Sequence, residues 1–327
     1  MIISRTPFRV SFAGGGTDLR DFYKSEYGAV ISTTIDKYIY ITVNSLSRFY
    51  NHKIRISYSK TEIVDSVDEI KHPIVREALK LVGIDGGVEI TSMADIPAGT
   101  GIGSSSSFTV GLLNALYAFQ GKNVSPERLA QEACNIEIEF LKEPIGKQDQ
   151  YAAAYGGLNY IRFNSDERVF VEPVISSEAI IDEFNRNLMM FYTGITRDAN
   201  TVLNKQKDNT EDKREYLTKM RDFANDIKKV LNEGKRLDRI GDILHQEWLL
   251  KKKLTSGISN NFIDNYYEKG LQAGALGGKV LGAGGGGFIL LYVEPQNQQK
   301  VEAALKDLKQ LSFKFEPQGS TIIYIRE

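Results

Sequence analysis

Apolar and polar positions alternate over residues 8–12 and 38–44 (YIYITVN), and again over 54–58 and 88–92, so the N-terminal region reads as sheet. Residues 104–120 follow another rule. The segment FTVGLLNALYAF is apolar all round, which predicts a helix buried on every side. Ser125-Pro126 supplies an N-cap and a proline at the first helical position for a further helix, running to about residue 142. Past Gly156-Gly157, residues 158–163 and 169–174 read as strands. The stretch 173–187 is the predicted boundary, dividing the chain into domains 1–180 and 181–327. A strand at 188–193 opens a mostly helical run, in which residues 205–215 hold four basic and four acidic side chains, the pattern of a solvated face or loop. From Lys279 onward the order is strand, glycine loop, strand (288–293), helix (301–311) and final strand (321–325). No internal repeat is visible.

Composition narrows the class. With 327 residues, 42% hydrophobic and 25% charged, the chain has the mix of a globular protein with room for two domains, and disorder, collagen-like repeats and a coiled coil are excluded. The longest apolar run, 288–293, is far short of the roughly 20 residues that cross a bilayer. Arg5 and Arg9 interrupt the N-terminus before an apolar core of signal-peptide length forms, and the lone Cys134 permits no intrachain disulfide; both features lead to the expectation of a reducing cytoplasm. Lys+Arg total 41 against 42 Asp+Glu, and this net charge of −1 argues against a nucleic-acid partner, whose phosphates demand a basic surplus.

The 29 glycines are unevenly spread. Gly14, Gly15 and Gly16, then Gly99, Gly101 and Gly103, then seven between 277 and 287 mark loops where backbone must approach something closely. The segment PAGTGIGSSSS, residues 97–107, runs straight into the buried helix, so its N–H groups and the helix dipole make an anion cradle suited to a di- or triphosphate. The alternative is a tight turn and nothing more. No G-x-x-x-x-G-K-[ST] occurs, and no acid lies between Ser104 and Pro126 where a dinucleotide fold would place its ribose ligand.

Three acids and one base stand out. On a helical wheel, Glu137 falls among Leu129, Ala130, Ala133, Cys134, Ile136, Phe140 and Leu141, whereas Glu132 and Glu139 fall opposite. A carboxylate on a core-facing stripe must be paired, protonated or metal-bound; a salt bridge and a Mg²⁺ site are both open. Asp149 either caps a helix starting at Tyr151 or acts as a general base. Arg9 shares a strand face with Arg5, so a solvated sheet edge is its bland reading, and turn capping is that of Asp18. His52, His72 and His245 lack metal spacing, and Cys134 reads as core.

Together these segments resemble the GHMP kinases, named for galactokinase, homoserine, mevalonate and phosphomevalonate kinases. Residues 5–18 look like the first family signature, 97–107 match the P-x-x-x-G-[LI]-G-S-S second, and KVLGAGGGGF (279–288) is similar to the glycine-rich third. The resemblance covers the whole chain. It implies an α+β protein of two domains, a ribosomal S5 domain 2-like N-terminal domain and a ferredoxin-like C-terminal one, with the active site between them. It also implies that Pro97, Gly99, Gly101, Gly103, Ser104, Ser105 and Ser106 hold ATP. Ser104 or Ser105, with Glu137, would bind Mg²⁺; Asp149 and Arg9 would be catalytic; Gly16, Thr17, Asp18, Gly284 and Gly285 would meet the substrate. Arg197 and Lys37 are candidates for a distal phosphate. Because the loop contains no lysine, Mg²⁺ and Arg9 are expected to supply the neutralising charge.

Galactokinases carry Gly-Glu-His-Thr-Asp where this chain has Gly14-Gly15-Gly16-Thr17-Asp18, so galactose is not the expected acceptor. FAGGGTDLRDFY, STTIDKYIYITVN, YTGITRDAN and LGGKVLGAGGGGF look most like the branch that phosphorylates the anomeric oxygen of D-glycero-D-manno-heptose 7-phosphate, in bacterial heptose nucleotide pathways. A small phosphosugar is the expected partner, and the chain is expected as a monomer or homodimer. The alternatives are a sugar 1-kinase for fucose or another hexose and, from a different class, a non-catalytic sugar and ATP sensor. The presence of Asp149 and Glu137 weighs against the sensor.

Overall fold

The computed structural model describes residues 1–196 and 212–326. Strands β1 (Ile2–Ala13) and β2 (Gly28–Ser45) form the spine of an eight-stranded sheet. Over residues 39–43 the buried Ile39, Ile41 and Val43 alternate with half-exposed Tyr40 and Thr42, whereas residues 28–35 are buried throughout. One half of β2 therefore faces solvent and the other is covered on both sides. A bulge separates the halves: Pro7 pairs with Tyr38 but Phe8 with Ile35. On one side of it β2 pairs antiparallel with β5 (Val88–Ala94), and on the other with β6 (Leu158–Phe163). Strands β3 (Ile54–Ser57) and β4 (Thr61–Val64) extend the first edge, and β7 (Val169–Pro173) the second.

Short α1 (Arg20–Tyr23) follows the first glycine turn, and α2 (Pro73–Val82) ends on Gly83 in the left-handed conformation. Helix α3 (Ser104–Phe119) lies against β1 and β2 and is buried on nearly every face, as its uniform hydrophobicity predicted. Ser125 caps α4 (Pro126–Cys134) by accepting from the Arg128 N–H. The chain then widens into a π-helical segment, Asn135–Phe140, with the Leu141 N–H donating to the Ile136 carbonyl at 3.0 Å. This departs from the single regular helix expected to about residue 142. The wider turn rotates Phe140 out of the predicted apolar arc, leaving it 53% exposed.

Helices α5 (Gln148–Tyr155) and α6 (Glu178–Arg186) precede a second sheet of β8 (Leu188–Tyr192), β9 (Gly277–Val280), β10 (Phe288–Tyr292) and β11 (Lys309–Gln310). Its order, β11-β8-β10-β9, is antiparallel throughout and is 4-1-3-2 in chain order, the ferredoxin-like arrangement. Helices α7 (Arg214–Glu233), α8 (Asp238–Lys251) and α9 (Asn261–Gln272) connect β8 to β9, and α10 (Pro295–Ala304) connects β10 to β11.

The domain division at residue 180 needs one change. The last strand, β12 (Thr321–Ile325), pairs antiparallel with residues 2–5 of β1, and Phe315 bridges to Ile35, so the C-terminus belongs to the first sheet. Phe12, Phe184 and Phe315 pack together behind it, with ring centroids 4.9 Å (Phe12 to Phe184) and 5.5 Å (Phe184 to Phe315) apart. Among the described residues no helix is long and apolar enough to cross a membrane.

Candidate active site

A cleft of about 390 Å³ lies between the two sheets, lined by all three glycine clusters. At its base Arg9 is buried, not on a solvated edge: its backbone N–H donates to the Ile102 carbonyl, so the glycine loop covers the strand there. The guanidinium grips Asp149 with both arms, Nε to Oδ1 at 2.7 Å and Nη2 to Oδ2 at 2.8 Å, while Nη1 donates to the Gly101 carbonyl at 2.6 Å. Asp149 thus sits inside the first turn of α5 with its carboxylate turned to the cleft, and Lys147 occupies the position before the helix. The capping reading of Asp149 is overturned.

Asp18 is buried beside this pair. Its Oδ1 accepts from the Gly16 N–H at 2.9 Å and its Oδ2 from the Gln148 N–H at 3.2 Å, so it ties the first glycine turn to the start of α5. Gly146 allows this close approach, since a Cβ there would stand 2.0 Å from Asp18 Oδ2. Burial, reinforced by the charge of Asp149, raises the Asp18 pKa, and the backbone donors oppose that rise.

The second glycine loop opens on the cleft with Gly99, Gly101, Gly103, Ser104, Ser105 and Ser106. Gly101 has φ +82°, and a Cβ on it would stand 2.6 Å from the Leu281 carbonyl oxygen, because this loop rests on the third. Gly101→Ala is therefore expected to lower stability by about 2 kcal/mol and to raise the KM for nucleotide about tenfold, from left-handed strain plus the clash. Thermal melting and nucleotide titration check this, and wild-type values in both would contradict the loop contact.

Glu137 lies on the π-helical segment, completely buried, and accepts from Ser105 Oγ at 2.7 Å and from Gln150 Nε2 at 2.7 Å. No salt bridge reaches it among the described residues, which removes the ion-pair reading. Burial pushes its carboxyl up to about 7, against the hydrogen bonds from Ser105 and Gln150. The folded state thus retains a proton that the unfolded chain releases near pH 4.5, so this group costs stability as pH rises from 4.5 through 7. In metal-free buffer, Glu137→Gln should gain on the order of 3 kcal/mol over wild type between pH 4.5 and pH 8, measured by denaturant unfolding. A pH-independent difference between the two proteins would contradict it.

The described residues contain no group of three or more His, Cys, Asp or Glu able to cage a metal. One buried carboxylate with an adjacent hydroxyl, beside an anion cradle, does fit Mg²⁺, which binds through one or two carboxylates and completes its shell with water and phosphate. Ser105, not Ser104, is the hydroxyl bonded to Glu137.

The second domain adds groups that sequence reasoning missed. Glu247 and Lys251 on α8 and Lys279 on β9 all line the cleft. Lys279 Nζ donates to the Phe12 carbonyl at 2.8 Å and pairs with Glu247 Oε1 at 3.3 Å, and that same oxygen accepts from the Gly14 N–H at 3.2 Å. Burial raises the Glu247 pKa and lowers that of Lys279, with their mutual attraction opposing both shifts. Lys251 Nζ donates to the carbonyls of Val280 at 3.1 Å and Gly282 at 2.5 Å. The loop of residues 97–107 is lysine-free as noted, yet two lysines reach the cleft from the other side. A signal was present: Ile240, Leu244, Glu247 and Lys251 share one helical stripe, the same anomaly that singled out Glu137.

Several expected contacts lie elsewhere. Pro97 is exposed and only accepts from Thr100 Oγ1 to close the turn. Thr17 is buried, its hydroxyl bonded to the Gly14 and Ala29 carbonyls. Lys37 sits at the β2 bulge, paired with Asp36 at 2.8 Å and outside the cleft lining. Gly284 and Gly285 turn toward Ile258, with the Gly285 N–H donating to its carbonyl, so Gly282, Ala283 and Gly286 line the cleft instead. Arg197 lies outside the described residues. Gly16 and Asp18 do line the cleft.

Comparison with known proteins agrees with this arrangement. Residues 68–157 match the GHMP kinases N terminal domain and residues 226–310 the GHMP kinases C terminal domain. The chain is 28% identical over 323 residues to a D-glycero-alpha-D-manno-heptose 7-phosphate kinase of Campylobacter jejuni, covering 93% of each. A galactokinase of Pyrococcus furiosus is 24% identical over 343 residues, covering 93% of this chain and 92% of its own. Among solved structures, a D-glycero-D-manno-heptose 1-phosphate kinase from Bacteriodes thetaiotaomicron superposes with a TM-score of 0.82 at 26% identity, covering 100% of both chains. With matches in both halves and glycine loops facing one cleft, this chain belongs to the GHMP kinase family and is a sugar kinase similar to the heptose phosphate kinases.

Proposed function

We propose that the protein transfers the γ-phosphoryl group of ATP to the C1 hydroxyl of D-glycero-D-manno-heptose 7-phosphate, giving heptose 1,7-bisphosphate and ADP. The observation that carries this reading is the Arg9–Asp149 pair, held against the carbonyl of Gly101 in the glycine loop, so that a carboxylate and a cation meet beside an anion cradle. The acceptor hydroxyl binds at Asp149, whose carboxylate takes its proton as the oxygen bonds to phosphorus. The anomeric hydroxyl is more acidic than an ordinary alcohol, which suits a carboxylate base. Arg9 orients that carboxylate and offsets charge on the transferring group, and Lys251, anchored on Gly282, adds a second positive charge from the other domain. Mg²⁺ held by Glu137 and Ser105 would neutralise phosphate charge when bound.

The choice of sugar is supported by the Campylobacter jejuni relative. The Bacteriodes thetaiotaomicron structure carries a different phosphate position in its name, so the position of transfer is the quantity to measure. Incubation with ATP, Mg²⁺ and synthetic heptose 7-phosphate, followed by NMR of the product, should place the new phosphate on C1. A panel of unphosphorylated hexoses, including fucose, should release much less ADP. Faster turnover of one of those hexoses, or a phosphate on another carbon, would overturn the assignment.

A further inference from the structure

The cleft contains polar atoms that no described residue satisfies. Glu247 is completely buried, and while its Oε1 is engaged by Gly14 and Lys279, its Oε2 has no hydrogen-bond partner. Ser11 Oγ and Gln148 Oε1 are likewise buried and unpartnered, and all three residues line the same cleft. Leaving a buried polar atom without a partner is costly, most of all for a charged group, so three around one cavity call for a ligand that brings hydrogen-bond donors.

Their chemistry narrows the ligand. A carboxylate oxygen and an amide oxygen only accept, and a serine hydroxyl can accept as well as donate. A phosphate is the wrong partner for Glu247 Oε2, because it offers negative charge to negative charge. A polyol is the right one, since each of its hydroxyls donates a proton. The position agrees: Ser11 lies two residues beyond Arg9 on β1, on the same strand face. Glu247 is fixed to Gly14 at the start of the glycine turn. A Cβ on Gly15 would find only Gln148 Nε2 within 4 Å, at 3.8 Å, so this turn leaves its side of the cleft uncrowded.

We propose that Glu247, with Ser11 on the same cleft, is a specificity-determining residue for the acceptor sugar: Glu247 Oε2 accepts a hydrogen bond from one ring hydroxyl and Ser11 Oγ from another. This rests on the sugar kinase reading of the cleft but not on which sugar is the acceptor. The second domain thereby takes part in sugar recognition through α8, and the bond from Gly14 to Glu247 holds that helix to the first glycine turn.

Monodeoxy analogues of the acceptor test this. Wild type should lose about 10²-fold in kcat/KM on the analogue lacking the hydroxyl that meets Glu247. In Glu247→Gln, the amide keeps one oxygen for Gly14 and Lys279 but puts an NH₂ group where Oε2 stood. The KM for the full sugar should rise about 10- to 100-fold with the KM for ATP unchanged, and the penalty for that one analogue should shrink to about threefold. A role limited to neutralising Lys279 would leave every analogue's penalty at its wild-type size, and that result would overturn the proposal. Ser11→Ala should cancel the penalty at a different hydroxyl; this variant carries the test alone if Glu247→Gln does not fold, and unchanged penalties there would count equally against the proposal. If heptose 7-phosphate is not turned over but a hexose is, the reading of the acceptor fails by itself, and the same comparison is run on deoxy analogues of that hexose.

Discussion

Asp149→Asn is expected to lower kcat by about 10³-fold while changing nucleotide affinity by no more than about threefold. The substitution keeps the shape of the side chain and one oxygen for Arg9. It removes the negative charge and replaces one of the two carboxylate oxygens that Arg9 grips with an NH₂ group, so the acceptor hydroxyl loses its proton acceptor. The proposed nucleotide contacts are the N–H groups and hydroxyls of residues 99–106, which line the same cleft and which the substitution leaves in place. Steady-state kinetics with calorimetric nucleotide titration separates the two effects. A variant that kept a tenth of wild-type turnover would remove Asp149 from the chemistry.

Arg9→Met should be as damaging, for two reasons that can be measured apart. Turnover should fall by about 10³-fold, because the cation facing the transferring group and the clamp on Asp149 are both lost. Stability should fall by about 2–3 kcal/mol in denaturant unfolding, the cost of breaking a largely buried pair, reduced because Asp149 keeps some solvent contact. The double variant Arg9→Met with Asp149→Asn should be no slower than either single one, since the two side chains act as a unit. Losses that multiply would mean that the residues work independently, and the bidentate geometry would then be incidental.

How far the sequence foretold the site depended on the range of each interaction. Glu137 was recoverable because a carboxylate on an apolar stripe is visible within one helix, and the buried helix behind the second glycine loop was plain from its hydrophobicity. Glu247 and Lys251 carried the same signature and were passed over, because no glycine loop adjoins α8 in sequence. Arg9 was legible as a candidate but not as buried, since what covers it is a loop about ninety residues away. The return of β12 to β1 joins the two ends of the chain, a pairing that local alternation cannot encode. Within the third glycine cluster, Gly284 and Gly285 could not be told from Gly282 and Gly286, because their orientation depends on Ile258 from another segment. Lys37 was drawn in by its charge, yet its immediate neighbour Asp36 satisfies it.

The most direct measurement is a crystal structure with a non-hydrolysable ATP analogue, Mg²⁺ and the acceptor sugar. The β- and γ-phosphates are expected at the N-terminus of α3 against Gly103, Ser104 and Ser105, with the metal on Glu137 and Ser105. The acceptor oxygen is expected hydrogen-bonded to Asp149 and about 3–3.5 Å from the terminal phosphorus. A triphosphate lodged away from residues 99–106, or an acceptor oxygen out of hydrogen-bond reach of Asp149, would contradict the proposed mechanism.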